Sequence, residues 1–288
     1  MSQTITPELR AWIVQQAQAG CTPESVLQAM LQAGWQESVA LDAMETVLES
    51  HLQSVAAQTT AAGAAAARVV ARPCIDLSGA PRAIDLGDRV VTVHVSLACP
   101  RLAVLGNLLS AEECDALIQA ARPRLKRSRT VQTRTGAEEL NADRTSDGMF
   151  FRRGETPLIQ RIEARLSRLV HWPVENGEGL QVLRYRPGAE YKPHYDYFDP
   201  HAAGTARLCE RGGQRVATIV MYLNEPVRGG GTVFPDVGLE VMPQRGHAVF
   251  FAYDRPEPAT RTLHGGAPVL EGEKWVATKW LREGEFTA

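Results

Sequence analysis

The 288 residues carry 31 Lys and Arg against 33 Asp and Glu, for a formal net charge of −2, with 44% hydrophobic and 22% charged residues. That is the composition of a globular chain; it excludes collagen-like, disordered and coiled-coil classes, and it gives no global basic field to draw the protein onto nucleic acid. The length accommodates one large domain and one small one.

Three short helices are predicted within residues 1–52. Thr6-Pro7 is an N-cap followed by proline at the first helical position, and Leu9, Trp12, Ile13 and Ala17 form an apolar face that ends at Gly20. Thr22-Pro23 repeats the device for Val26, Leu27, Met30 and Leu31, while Val39, Met44, Val47, Leu48 and Leu52 make a third face. Six acids and a single base, Arg10, fit either a solvated surface or a contact for an unidentified partner of this module. Residues 53–78, Ala-rich over most of their length, read as a linker.

Residues 79–288 change to strands with a few helices. Arg89–Leu97 is rich in β-branched residues, Ser110-Ala111-Glu112-Glu113 is a capping box opening a helix to about Ala121, and Thr156-Pro157 opens another that must stop before Pro173. After Gly179 only strands are predicted: Leu180–Tyr185, Tyr191–Phe198, Val216–Leu223, Ala248–Tyr253 and Lys274–Leu281. The fold class is therefore mainly β with flanking helices (α+β): an antiparallel jelly roll, its core about 179–282, behind a three-helix module. Five cysteines without a C-x-x-C pair predict reduced thiols and a cytoplasmic protein. Met1–Trp12 has no basic region leading into an apolar run, and 18 apolar residues never follow one another, so neither a leader nor a membrane span is expected.

Two spacings carry chemistry. In Tyr191–Phe198 strand alternation places His194 and Asp196 on one side, where an imidazole and a carboxylate can grip a metal ion; an exposed strand face fits the same pattern. His264 precedes Gly265-Gly266, and Lys274 follows it by ten positions. Only four of the 31 basic residues are lysine, so Lys274 is not compositional drift. Taken alone, Lys274 also fits a surface charge, Tyr185, Tyr191 and Trp280 fit core aromatics, and Thr232 fits a strand residue after the glycine turn 229–231.

With its H-x-D pair, distal His and Lys ten residues later, the chain from about Arg101 to Arg282 resembles the prolyl 4-hydroxylase branch of the iron(II)- and 2-oxoglutarate-dependent dioxygenases. The resemblance implies a double-stranded β-helix that holds Fe(II) with His194, Asp196 and His264. It implies that Lys274, Tyr185 and Thr232 bind the far carboxylate of 2-oxoglutarate, and that Tyr191 and Trp280 flank a substrate proline. The activity implied is hydroxylation of a peptidyl proline in a protein or peptide, consuming O₂ and releasing succinate and CO₂, with ascorbate as reductant. Two imidazoles and one carboxylate leave three positions of an octahedral iron open, two for the 2-oxo acid and one for O₂.

Lysyl residues, free amino acids or other small substrates would use the same chemistry; superfamily members acting on nucleobases typically use Arg where Lys274 stands. A non-catalytic cupin-like binding protein is the reading from another class. Finally, Arg122–Arg153 holds nine bases against four acids and resembles the family's variable loop over bound peptide, with Arg144-Thr145-Ser146 as its family-like part; it is expected to select acidic or polar flanks around the proline.

Overall fold

Threonine caps and first-turn prolines open the first two helices of the N-terminal unit as expected. The computed structural model describes residues 5–18, 22–48, 50, 72–127, 130–131, 138–139 and 145–287, and the chain divides into two units, Met1–Ala71 and Arg72–Ala288. Helix α1 spans Pro7–Gln18 and α2 spans Pro23–Gln32, with Thr6 and Thr22 Oγ1 accepting from the Leu9 and Ser25 N–H groups; α3 covers 37–48. Ile13, Val26, Met30, Ala40, Ala43, Met44 and Val47 form their shared core.

The expected linker is shorter than the composition suggested. Its residues 53–71 lie outside the described residues, and 72–78 belong to the second unit. The Cys74 N–H donates to the Val170 carbonyl, Arg72 pairs with Glu283 at 3.2 Å, and Ile75 and Leu77 pack on the main core. Two apolar side chains with a surface to cover outweigh a local composition that looks like linker.

In the second unit the strands are β1 Ala83–Asp85, β2 Val90–Leu97, β3 Arg101–Gly106, β4 Lys126–Arg127, β5 Asp147–Phe151, β6 Leu180–Tyr185, β7 Tyr191–His194, β8 Arg215–Tyr222, β9 Thr232–Phe234, β10 Leu239–Val241, β11 Ala248–Ala252, β12 His264–Gly266 and β13 Lys274–Arg282. These build two antiparallel sheets, ordered β1-β2-β3-β11-β8-β13-β6-β5-β4 and β10-β9-β12-β7, and two further two-stranded ladders, Thr130–Val131 with Glu138–Glu139 and Arg228–Gly229 with Val269–Glu271, are separate from them. Helices α4 (Ala111–Ala121) and α5 (Pro157–Val170) cover the outer face of the large sheet, as Leu117, Ile159, Ile162 and Leu166 pack with Ala217, Ile219, Met221 and Ala277. The other face turns inward, where Tyr185, Tyr222, Phe234, Phe251 and Val276 form the inter-sheet core. Central strands are thus buried on both faces: all nine residues of β13 are buried. The expectation of strands alone after Gly179 is corrected by a short helix, α6 (Thr205–Cys209). No described helix is long and apolar enough to cross a membrane.

The two covering helices are locked by a buried ion network. Arg165 donates to both Glu113 oxygens (2.8 and 2.9 Å), to Asp88 and to the Leu108 carbonyl, and Glu113 also accepts from the Ser110 N–H in the capping box. Burial pushes the Glu113 carboxyl up, but Arg165 and the Ser110 N–H outweigh it and bring it down to about 2. Arg165→Met leaves that buried carboxylate with only the exposed Arg161, 3.2 Å away, and urea denaturation is expected to show a loss of about 3 kcal/mol. In the unsubstituted protein, Glu113's contribution is complete above its ordinary pKa of 4.5 and is lost as pH falls towards 2.

Candidate metal centre

Strands β7 and β12 pair so that His194 stands directly opposite His264. Each imidazole is oriented by its own backbone: His194 Nδ1 lies 2.9 Å from the Lys192 carbonyl, and His264 Nδ1 lies 2.9 Å from the Thr262 carbonyl. An Nδ1–H donated to a carbonyl leaves Nε2 with its lone pair, the tautomer a metal requires. Both Nε2 atoms face Asp196, at 3.6 Å from Oδ1 and 3.4 Å from Oδ2. One ligand atom from each residue lies within 4.8 Å of the others, a set able to hold one metal ion.

Asp196 arrives by a different route from the one strand alternation suggested. Strand β7 ends at His194, because β12 begins at His264 and offers no partner beyond it. Asp196 lies in the bend that follows, held by Thr218 Oγ1, which donates to Oδ2 at 2.7 Å, and by Arg215 Nη1, which donates to its carbonyl at 3.4 Å. Tyr253 OH lies 3.1 Å from Thr218 Oγ1. Burial pushes the Asp196 carboxyl up, yet the two imidazoles and Arg215 hold it well below the usual range. Burial brings His264 down to about 4, against the pull of Asp196, so it is a neutral ligand at pH 7.

The glycine directly after His264 has a packing reason. A Cβ on Gly265 would lie 2.8 Å from the Tyr191 carbonyl oxygen and 3.0 Å from the Pro193 nitrogen, so only glycine lets the two backbones approach this closely.

One cavity collects eight of the nine expected residues: His194, Asp196, His264, Lys274, Tyr185, Thr232, Tyr191 and Trp280 all line it. Arg144 lies outside the described residues. Period-2 alternation turns Lys274, Val276, Thr278 and Trp280 of β13 into the cavity, and register places Tyr185 opposite Lys274 and Thr218 opposite Trp280. The metal-ligand set therefore sits towards the Trp280 end of the strand, with Lys274 at the other. Tyr191 stacks on His194 with ring centroids 3.7 Å apart. The buried indole N–H of Trp280 has no partner among the described residues.

Lys274 is the anomaly. It is 4% exposed, yet among the described residues no hydrogen bond or salt bridge holds its Nζ, which sits instead 5.6 and 5.8 Å from the Tyr185 and Tyr222 rings. Burial brings its pKa down to about 7, opposed by Glu240. Lys279 on the same strand is 2% exposed, but it faces the helices and is paired with Glu163 at 2.6 Å. A buried cation without a counter-ion is costly unless a ligand supplies the anion. Thr232 lies beside it in the cavity; its Oγ1 accepts from Tyr222 OH at 2.8 Å, which leaves the Thr232 proton free for a ligand.

Thr218, Tyr222, Tyr253 and Arg215 escaped the sequence reading, since no local pattern distinguishes a strand threonine or tyrosine that faces a metal ligand. Thr218→Val removes the donor to Asp196, and metal affinity is expected to fall about 10–100-fold, with Thr218→Ser restoring it, as measured by Mn(II) titration.

A carboxylate and two correctly oriented imidazoles inside a two-sheet barrel, beside a buried and unpaired lysine, are what a ferrous oxygenase that uses a 2-oxo acid requires. The comparisons agree. Residues 180–282 match the 2OG-Fe(II) oxygenase superfamily. The protein is 41% identical to Prolyl 4-hydroxylase 5 of Arabidopsis thaliana over 65% of this chain and 70% of that one, and 46% identical to Prolyl 4-hydroxylase 1 of the same plant over 64% and 69%. The chain belongs to this superfamily and carries a prolyl 4-hydroxylase-like domain. Among solved structures, the viral collagen prolyl hydroxylase of Paramecium Bursaria Chlorella virus-1, in its 2OG complex, is 33% identical and covers 63% of this chain and 95% of that one, with a TM-score of 0.48.

Proposed function

We propose that this protein hydroxylates a prolyl residue in a protein or peptide, converting 2-oxoglutarate and O₂ to succinate and CO₂ as one oxygen atom enters the proline C–H bond and the other enters succinate. The observation that carries this reading is the meeting, in one cavity, of a three-ligand metal set and an unpaired buried lysine.

His194 and His264 would hold Fe(II) through Nε2, and Asp196 through its carboxylate. When bound, the iron supplies the activation of O₂ and of the C–H bond, chemistry no side chain here can perform. The chain's own residues bind and orient. Lys274 meets the distal carboxylate of 2-oxoglutarate, with the Tyr185 hydroxyl and the Thr232 proton as further donors. Tyr191 and Trp280 flank the substrate proline, and the unpaired Trp280 N–H offers a donor to a peptide carbonyl. The inter-sheet core excludes water around the site. Ascorbate serves as the reductant that keeps iron ferrous. The setting is the reducing cytoplasm, in keeping with the four described cysteines, all of them free.

The test is mass spectrometry of proline-containing peptides incubated with Fe(II), 2-oxoglutarate and ascorbate. A +16 Da product on proline with matching succinate is expected. Succinate formation accompanied by oxygen on lysine, or on no residue of any peptide, would overturn the prolyl assignment.

A further inference from the structure

A groove of about 720 Å³ has two lining residues, Arg215 and Phe150, in contact with Trp280 of the metal cavity. Arg215 lines the groove, stacks 4.1 Å from the Trp280 ring centroid and donates to the Asp196 carbonyl. Phe150, also on the groove and 47% exposed, packs against the same Trp280 at 6.4 Å. The groove therefore adjoins the cavity at its Trp280 end.

Six arginines line it against two glutamates. Glu178 is already shared by Arg215 at 2.7 Å and Arg282 at 2.9 Å. Arg153 donates only to the Glu175 and Phe286 carbonyls, which neutralise nothing. The guanidinium groups of Arg152 and Arg207 make no hydrogen bond or ion pair among the described residues, and both side chains are exposed. Surplus positive charge was expected on a lid over 122–153. Much of that segment lies outside the described residues, and among its described bases Arg124 is neutralised by Glu155 at 2.6 Å. Arg152 and Arg153 instead face the groove.

We propose that this groove binds acidic residues flanking the target proline, with Arg152 and Arg207 contacting their carboxylates. The proposal rests on the prolyl-peptide reading above. Charge complementarity selects the occupant, and the contacts of Arg215 and Phe150 with Trp280 put the groove next to the residue that flanks the substrate proline.

The test uses fluorescein-labelled proline peptides that differ only in flanking Asp/Glu or Lys, with the full chain, Mn(II) and 2-oxoglutarate under nitrogen, where binding is read without turnover. The acidic peptide is expected to bind about five- to tenfold tighter, with the gap closing in about 0.5 M salt. The double substitution Arg152→Glu/Arg207→Glu is expected to invert the ranking, which a merely structural role would not do. Equal binding of both peptides, or equal weakening of both by the substitutions, overturns the groove. Tight, charge-ranked binding of a peptide that gains no oxygen in the aerobic iron assay overturns the prolyl reading and leaves the groove standing; hydroxylation indifferent to flanking charge does the reverse.

Discussion

His264→Ala is expected to reduce 2-oxoglutarate turnover more than about 100-fold, a larger loss than removing a residue that merely orients a ligand. His264 is buried and neutral, sits opposite His194 across β7 and β12, and faces Asp196 Oδ2 at 3.4 Å. Without it, one imidazole and one carboxylate remain, too few to hold the ion against water. The fold should survive. Thr218 still donates to Asp196, Arg215 still holds its backbone, and the ring that disappears lies at the edge of an existing cavity. Succinate release and Mn(II) titration read the two effects, while far-UV circular dichroism checks the fold. Turnover within tenfold of the unsubstituted protein would remove His264 from the metal centre.

Lys274→Ala is expected to raise the KM for 2-oxoglutarate about 30-fold or more, because truncating one partner of a buried charge pair costs about 2–5 kcal/mol. The effect on kcat at saturating co-substrate should be smaller, since the contact is one of binding. Lys279→Met is the control. Lys279 is as buried and on the same strand, but its ammonium answers Glu163, so its loss should lower stability and leave KM unchanged. A pH dependence follows from the same residue. With its pKa brought down to about 7 by burial, Lys274 is charged below that pH and neutral above it. The KM for 2-oxoglutarate should therefore be flat below pH 7 and rise above it, by at most about tenfold per unit, as the proton must be taken up on binding. A KM insensitive to both Lys274→Ala and pH would show that the co-substrate does not meet this ammonium.

Much of the architecture was legible because short-range rules govern it. Caps at Thr6, Thr22, Ser110 and Thr156 start helices where they were expected, and β6 spans Leu180–Tyr185 as the β-branched and aromatic pattern indicated. Strand β7 was read too long, because its end depends on where β12 begins, some 70 residues on. The linker was read too long for a similar reason: whether Ile75 and Leu77 find a surface is decided by the second unit.

Of the site, the sequence by itself determined the chemical groups and their order. H-x-D, a histidine held between glycine and strand, and a rare lysine ten residues on specify a ligand set and a cation, and strand period alone puts Lys274 and Trp280 on one face. Only the tertiary structure decided the environment of those groups. Both faces of β13 are buried, so nothing in its uniform local pattern says that Lys274 looks into the metal cavity while Lys279 looks at Glu163, 116 positions away in the chain. Likewise Thr218 comes to Asp196, and Tyr222 to Thr232, through packing of two sheets. Side-chain identity fixes what a group can do. Its partners fix its charge and its freedom, and those partners are long-range contacts that only the folded chain creates.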